Sequence, residues 1–173
     1  QDNQTISGQK IEYKEFPDLK GVSYAARGSV TILEQERQAT CGEAVYDRKN
    51  GKTTLRINPE ITDNGQVITG SEIFLKYKED VLQDIFIPKD ARAIRPTNGT
   101  REWFEVVDGD TSTFTDSASF VDDMTGSTLR GFFVDGSLDS LRLEGMATTI
   151  YHLFEDSVYQ GRNLVSGDTI SMK

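Results

Sequence analysis

Apolar residues recur at every second position through much of this chain. Ile73, Leu75 and Tyr77 share one side of an extended Ser71–Tyr77, and Ile85 and Ile87 share one side of Asp84–Ile87. Thr53–Ile57, Gly28–Ile32 and Ser140–Leu143 alternate in the same way. A period of two is what a strand with one buried face requires, because successive side chains leave opposite faces. Between these runs stand Asn-Gly at 50–51, 64–65 and 98–99 and Asp-Gly at 108–109 and 135–136. Both dipeptides tolerate the positive φ angles of tight hairpin turns, so each marks an expected turn. Pro59, Pro88 and Pro96 are expected at strand ends, where a missing N–H costs least. Ile32–Ala39 has helix-friendly composition but no apolar i, i+3, i+4 stripe. It reads as a strand end and turn, with a short helix as the alternative. Asp116–Asp123 has room for one helical turn. The expected fold class is all-β.

An internal repeat adds order to this pattern. Thr69-Gly70-Ser71-Glu72-Ile73 recurs as Thr125-Gly126-Ser127-Thr128-Leu129, 56 residues later. The same offset pairs Leu82 with Leu138, Ile85 with Leu141, Ile87 with Leu143 and Ala91 with Ala147. Shorter echoes of the opening are Ser166-Gly167-Asp168-Thr169-Ile170 and Cys41-Gly42-Glu43-Ala44-Val45-Tyr46. Each unit reads as a rung: a small residue and glycine lead into a strand, a hairpin follows, and a return strand ends near a small residue. One rung cannot bury its apolar face alone, whereas stacked rungs bury it together. Antiparallel hairpins stacked into a folded-over sheet suit this spacing better than a β-helix or a propeller.

Composition narrows the function classes. The chain has 173 residues, enough for one domain or two small ones, with Lys+Arg 19 and Asp+Glu 28, a net charge of −9. Such acidity argues against a nucleic-acid partner, which needs a basic face. The longest apolar runs are three residues, as in Phe132-Phe133-Val134, so no helical membrane span is written in the chain. Cys41 is the only cysteine, which excludes an internal disulfide and a four-cysteine zinc site.

Candidate chemistry is sparse. His152, the only histidine, sits in the strand pattern Ile150–Phe154 and reads as a satisfied or solvent-facing strand residue. Cys41 reads as a small buried hydrophobe. No Gly-x-Ser-x-Gly or His-Glu-x-x-His occurs. Asp108 and Asp110, with Asp116, Asp122 and Asp123 nearby, form a weak calcium candidate, since carboxylates in a glycine-containing loop suit that ion. The twelve-residue EF spacing is absent, and a solvated turn is the plainer reading. Trp103 beside Phe104 is the candidate aromatic platform for a carbohydrate. Adjacent strand residues face opposite ways, so at most one of the two is displayed.

The recurring units resemble the OstA-like, or LptA-like, family of periplasmic lipopolysaccharide-transport domains. The likeness rests on Gly28-Ser29-Val30, on Cys41-Gly42-Glu43-Ala44-Val45-Tyr46-Asp47, on the three small-Gly-Asp/Ser-x-Ile strands, and on Gly145-Met146-Ala147-Thr148-Thr149-Ile150-Tyr151. It covers residues 24–172, and Met124–Met172 resembles the longer OstA-like proteins of Bacteroidetes-type bacteria. The resemblance implies a folded-over antiparallel β-jellyroll, or "taco". Residues 1–23 would be an N-terminal extension or first strand, followed by two half-repeats at about 24–94 and 124–172, with an insertion or seam at 95–123. It also implies a periplasmic protein of the bacterial cell envelope, in keeping with a removed signal peptide ahead of Gln1. The implied activity is non-enzymatic transport of lipopolysaccharide, with acyl chains in an apolar groove and no cofactor. The expected lining is Val30, Ile32, Val45, Leu55, Ile57, Ile73, Leu75, Tyr77, Ile85, Ile87, Leu129, Phe133, Leu141, Leu143 and Ile170. The same residues packed as a dry core are the alternative. Expected partners are other β-jellyroll subunits of a transport bridge, joined by edge-strand pairing near Tyr24–Ile32 and Thr169–Met172, including a head-to-tail homo-oligomer. The competing readings are a structural or adhesive extracellular β-repeat module and a carbohydrate-binding module.

Overall fold

The computed structural model describes residues 4–15, 22–34, 37–79, 81–134 and 137–172, without the side chain of Ser137. The described residues contain strands and no helix. They are β1 (Gln4–Ser7), β2 (Lys10–Glu15), β3 (Val22–Glu34), β4 (Arg37–Asp47), β5 (Lys52–Arg56), β6 (Glu60–Asp63) and β7 (Gln66–Thr69), followed by β8 (Glu72–Lys78), β9 (Val81–Ile87), β10 (Ala91–Val107), β11 (Asp110–Gly126), β12 (Thr128–Val134), β13 (Ser137–Glu155) and β14 (Val158–Met172). All fourteen join in one sheet, antiparallel apart from a single parallel bridge between Thr100 and Val158.

That sheet is creased. The chain breaks its strand geometry at Gly28–Ser29 in β3, where the pairing with β4 skips from Arg27 to Val30, and at Gly145–Met146 in β13, where it skips from Glu144 to Ala147. Neighbouring strands break at matching points. Main-chain bonds run from Gln9 N–H to Gly28 O (3.0 Å), Gly42 N–H to Ile57 O (2.9 Å), Ser71 N–H to Lys89 O (3.0 Å) and Ser127 N–H to Gly145 O (2.9 Å). The acceptor side carries left-handed backbone: Gly28 (φ 76°) and Ser29 (47°), Ile57 (65°) and Asn58 (52°), Asp90 (55°), Gly145 (75°) and Met146 (50°). Glycine, serine, asparagine and aspartate keep the strain low at their positions, whereas Ile57 and Met146 bear the left-handed cost. One flank of the crease holds β1, β6, β7 and the starts of β4 and β10, with residues 147–155 of β13. The other holds β2, β5, β8, β9, β12 and residues 137–144 of β13. A single apolar cluster draws on both flanks, from Val30, Ile61 and Ala93 to Leu55, Ile87 and Leu143.

The 56-residue repeat is a repeat of structure. The pairing of β8 with β9 shifts register between Lys76 and Tyr77, and that of β12 with β13 shifts between Phe132 and Phe133, at the same offset. On the outer face of the second flank, charges alternate across strands. Lys10 pairs with Glu12 (2.8 Å), Arg27 with Glu12 (3.0 Å) and Glu43 (2.8 Å), and Arg56 with Glu43 (3.6 Å) and Glu72. Exposed pairs of this kind add little stability each, but they keep that face polar.

Several expectations are corrected. Asn64-Gly65 and Asp108-Gly109 do turn hairpins, each with two positive φ angles, and Gly51 lies in the turn before β5. Asn98-Gly99 does not turn: it lies inside β10, and a Cβ on Gly99 would stand 2.3 Å from Phe154 Cε1. Glycine is there for close approach. Pro96 is likewise inside β10, opposite Val121 and beyond the end of the β7 pairing at Ile94, so its missing N–H breaks no bond to β7. Asp116–Asp123 is strand, held by β10 along its whole length. Asp135-Gly136 lies outside the described residues. The strip 95–123 is the greater part of the β10–β11 hairpin. The N-terminal edge is formed by β1 and β2, which pair with β3, so Tyr24–Ile32 is an interior strand.

Candidate functional site: an apolar cleft between the flanks

The interior is filled around β3–β9 and opens towards β14. Of the expected lining, Val30, Ile32, Leu55, Ile73, Leu75, Ile85, Ile87, Leu129, Phe133, Leu141 and Leu143 are buried in the central cluster, and Tyr77 and Ile170 pack against it. Two expected members are elsewhere. Ile57 is 63% exposed, because β5 ends at Arg56 and Ile57 takes the left-handed backbone of the crease. Val45 is only half-buried, and Ala44 points inward in its place. The crease at Gly42 changes the inward positions of β4 from Ala39 and Cys41 to Ala44, a shift of parity that a strict period of two misses.

Beyond the packed part the flanks separate around a cavity of about 550 Å³. Ile68, Ala93 and Met124 line it from one flank, and Leu138, Leu141 and Met172 from the other. Thr149 also faces it, with its buried hydroxyl unpartnered among the described residues. The lining is mainly apolar, with Arg95, Asp122 and Asp139 as its charged members. At the other end of the flanks, Tyr77 OH donates to Glu34 Oε2 (3.4 Å) and Arg37 lies 5.2 Å over the Phe133 ring, tying the lips together. Burial holds the Tyr77 phenol well above its ordinary pKa.

Asp122 lines the cleft and is held in place from several sides. It is 1% exposed and accepts bonds from the His152 main-chain N–H (2.8 Å), His152 Nδ1 (3.0 Å), and Arg95 Nε (3.2 Å) and Nη2 (2.7 Å). Since the ionised carboxylate only accepts, Nδ1 carries the proton. Burial alone pushes this carboxyl up, but the bonds from Arg95 and His152 outweigh it and hold the pKa below the usual value. The β13–β14 hairpin then crosses the β10–β11 ribbon. Phe120 contacts His152 (5.3 Å), Phe154 (5.1 Å) and Tyr159 (4.6 Å) through their rings, and Thr100 N–H donates to Ser157 O (2.8 Å). Sequence reasoning left His152 as a satisfied or solvent-facing strand residue; it is satisfied, by Asp122, a partner 30 positions away that the sequence did not reveal.

The other chemical candidates are not assembled. Asp108 and Asp110 flank the exposed tip of the β10–β11 hairpin, and among the described residues no three His, Cys, Asp or Glu side chains converge as a metal site. Cys41 is buried, and burial raises its thiol pKa. Trp103 and Phe104 do face opposite ways, yet both are exposed, and Trp103 stacks on Phe114 directly across the hairpin. That partner was readable: a two-residue turn at Asp108-Gly109 sets the register that opposes 103 and 114.

A creased antiparallel sheet folded over an apolar interior defines a β-jellyroll-like class of fold. Residues 1–81 match the family model described as LptA/(LptD N-terminal domain) LPS transport protein. The OstA-like resemblance is thereby borne out over that stretch. No curated protein and no solved structure matches the chain.

Proposed function

We propose that the cleft shelters acyl chains of lipopolysaccharide, and that the protein serves without catalysis as a β-jellyroll unit of a lipid-transport bridge in the bacterial periplasm. The observation that supports this reading best is the cavity of about 550 Å³, walled by both flanks and continuous with the apolar core. Each methylene taken from water into such a space is worth about 0.8 kcal/mol, so a few turns of acyl chain suffice for useful affinity. The end strands suit assembly: residues 169–172 of β14 pair with β13 alone, and β1 and β2 pair with β3 alone. Such edges accept a strand from another jellyroll or from a second copy.

A fluorescent fatty acid displaced by lipopolysaccharide tests the reading. Leu138, at 36% exposure, lines the cleft without being part of the buried core. Leu138→Asp should weaken probe binding at least about tenfold, the scale of one buried leucine, while leaving the thermal midpoint nearly unchanged. Saturable probe binding that is indifferent to Leu138→Asp and Met172→Asp would place the acyl chain elsewhere and remove the proposal.

A further inference from the structure

Beyond Arg101 and Asp116, β10 and β11 pair only with each other, as a two-stranded ribbon ending at Asp108-Gly109. Trp103 and Phe114 oppose each other there, with ring centroids 5.8 Å apart and planes inclined by 19°. Each is 41% exposed, so the stacked pair, with each ring backing the other, leaves an outer ring face open to solvent. Strand alternation puts this surface on the side of the sheet that carries Ala93 and Arg95 in β10 and Phe120, Asp122 and Met124 in β11. The inner side of the cleft therefore runs on past the Phe120 ring cluster and along the ribbon. On the same face, the pair Arg101 and Asp116 lies to one side of the rings and the pair Glu105 and Ser112 to the other.

We propose that Trp103 and Phe114 form a saccharide-binding platform that stacks one face of a hexopyranose ring. The C–H bonds of a pyranose face are weakly positive and meet the negative face of an aromatic ring favourably. Its hydroxyls donate to carboxylates, here Glu105 and Asp116, and accept from Arg101 and Ser112. Charge selects among occupants: between 101 and 116 the ribbon carries five acids and one arginine. That balance disfavours phosphate groups and anionic membranes, and inserting the tip into a bilayer would take Asp108 and Asp110 with it. Resting on the cleft reading, the inference extends to substrate class: the saccharide is the sugar portion of the same glycolipid whose acyl chains enter the cleft.

Trp103 is the only tryptophan, so its fluorescence reports on the platform directly. Titration of the intact protein with lipid-free core oligosaccharide, cello-oligosaccharide and malto-oligosaccharide should produce a saturable emission shift for at least one of them. Phe114→Ala should weaken that binding about tenfold, on the scale of one lost aromatic contact. By calorimetry, Trp103→Phe should retain binding and Trp103→Ala should lose it. All three variants should bind the fluorescent fatty acid as the unaltered protein does. An emission unmoved by every saccharide at about 10 mM overturns the platform, since weaker contact is not recognition. Sedimentation of a dimer that Phe114→Ala makes monomeric, with no saccharide response, overturns it in favour of a second copy on this face. Fatty-acid binding without a saccharide response removes this inference and spares the cleft, and the reverse result spares the platform and removes the glycolipid link.

Discussion

Ser71 donates both its main-chain N–H (3.0 Å) and its hydroxyl (3.1 Å) to the carbonyl oxygen of Lys89. Ser127 does the same to Gly145 (2.9 and 3.1 Å), 56 positions along the chain. These bonds hold two turns of the crease. Ser71→Ala and Ser127→Ala each remove only the hydroxyl bond and should cost about 1 kcal/mol apiece. The sites share no partner, so the double variant should lose the sum within about 0.5 kcal/mol in urea unfolding. A strongly sub-additive result would mean that the two creases do not unfold as independent supports.

Asp122 should set the acid limb of stability. Its folded pKa is lowered, so its stabilisation is present above the ordinary carboxylate value near 4 and fades as pH falls through the lower folded value. The urea midpoint of the native protein should therefore drop below about pH 4 more steeply than that of Asp122→Asn, and the two curves should converge at still lower pH. At neutral pH Asp122→Ala should cost about 2 kcal/mol, because buried donors of His152 lose their acceptor. Parallel pH profiles for native protein and Asp122→Asn would contradict this.

Gly99 makes room for the crossing hairpin. A methyl group there meets Phe154 Cε1 at 2.3 Å and Cδ1 at 2.9 Å. Gly99→Ala should raise hydrogen exchange across residues 154–160 and cost about 2 kcal/mol, the usual scale of overpacking. Adding Phe154→Leu should recover part of that loss. Increased exchange at β3–β9 instead would show that the distal hairpin and the core are one cooperative unit.

Two buried hydroxyls, Tyr24 Oη and Thr149 Oγ1, have no hydrogen-bond partner among the described residues. Burial also pushes the Tyr24 phenol well above its ordinary pKa. Tyr24→Phe should therefore be neutral or stabilising by up to about 1 kcal/mol. Thr149→Val should stabilise similarly and tighten fatty-acid binding, since Thr149 faces the cleft. Thermal midpoints and probe titrations check both, and a loss of more than about 1 kcal/mol at either position would reveal a bond to ordered water.

Much was determined by the sequence alone. Period-two alternation in Ser71–Tyr77 and Ser140–Leu143, with Asn64-Gly65 and Asp108-Gly109 between strands, was sufficient for an all-β chain of hairpins, because both signals are local. The offset of 56 likewise marked Ser71 and Ser127 as equivalent rung openings, and the fold gives both the same crease bonds. Only the tertiary structure decided where parity changes at the crease, which moved Ala44 inward, left Val45 half-buried and put Ile57 in solvent. It also decided that Asp122 meets His152 and Arg95, and that the filled interior opens near β14. These depend on two flanks and a crossing hairpin meeting from distant parts of the chain. Alternation records which side a residue faces, whereas contact depends on what the folded sheet brings to that side.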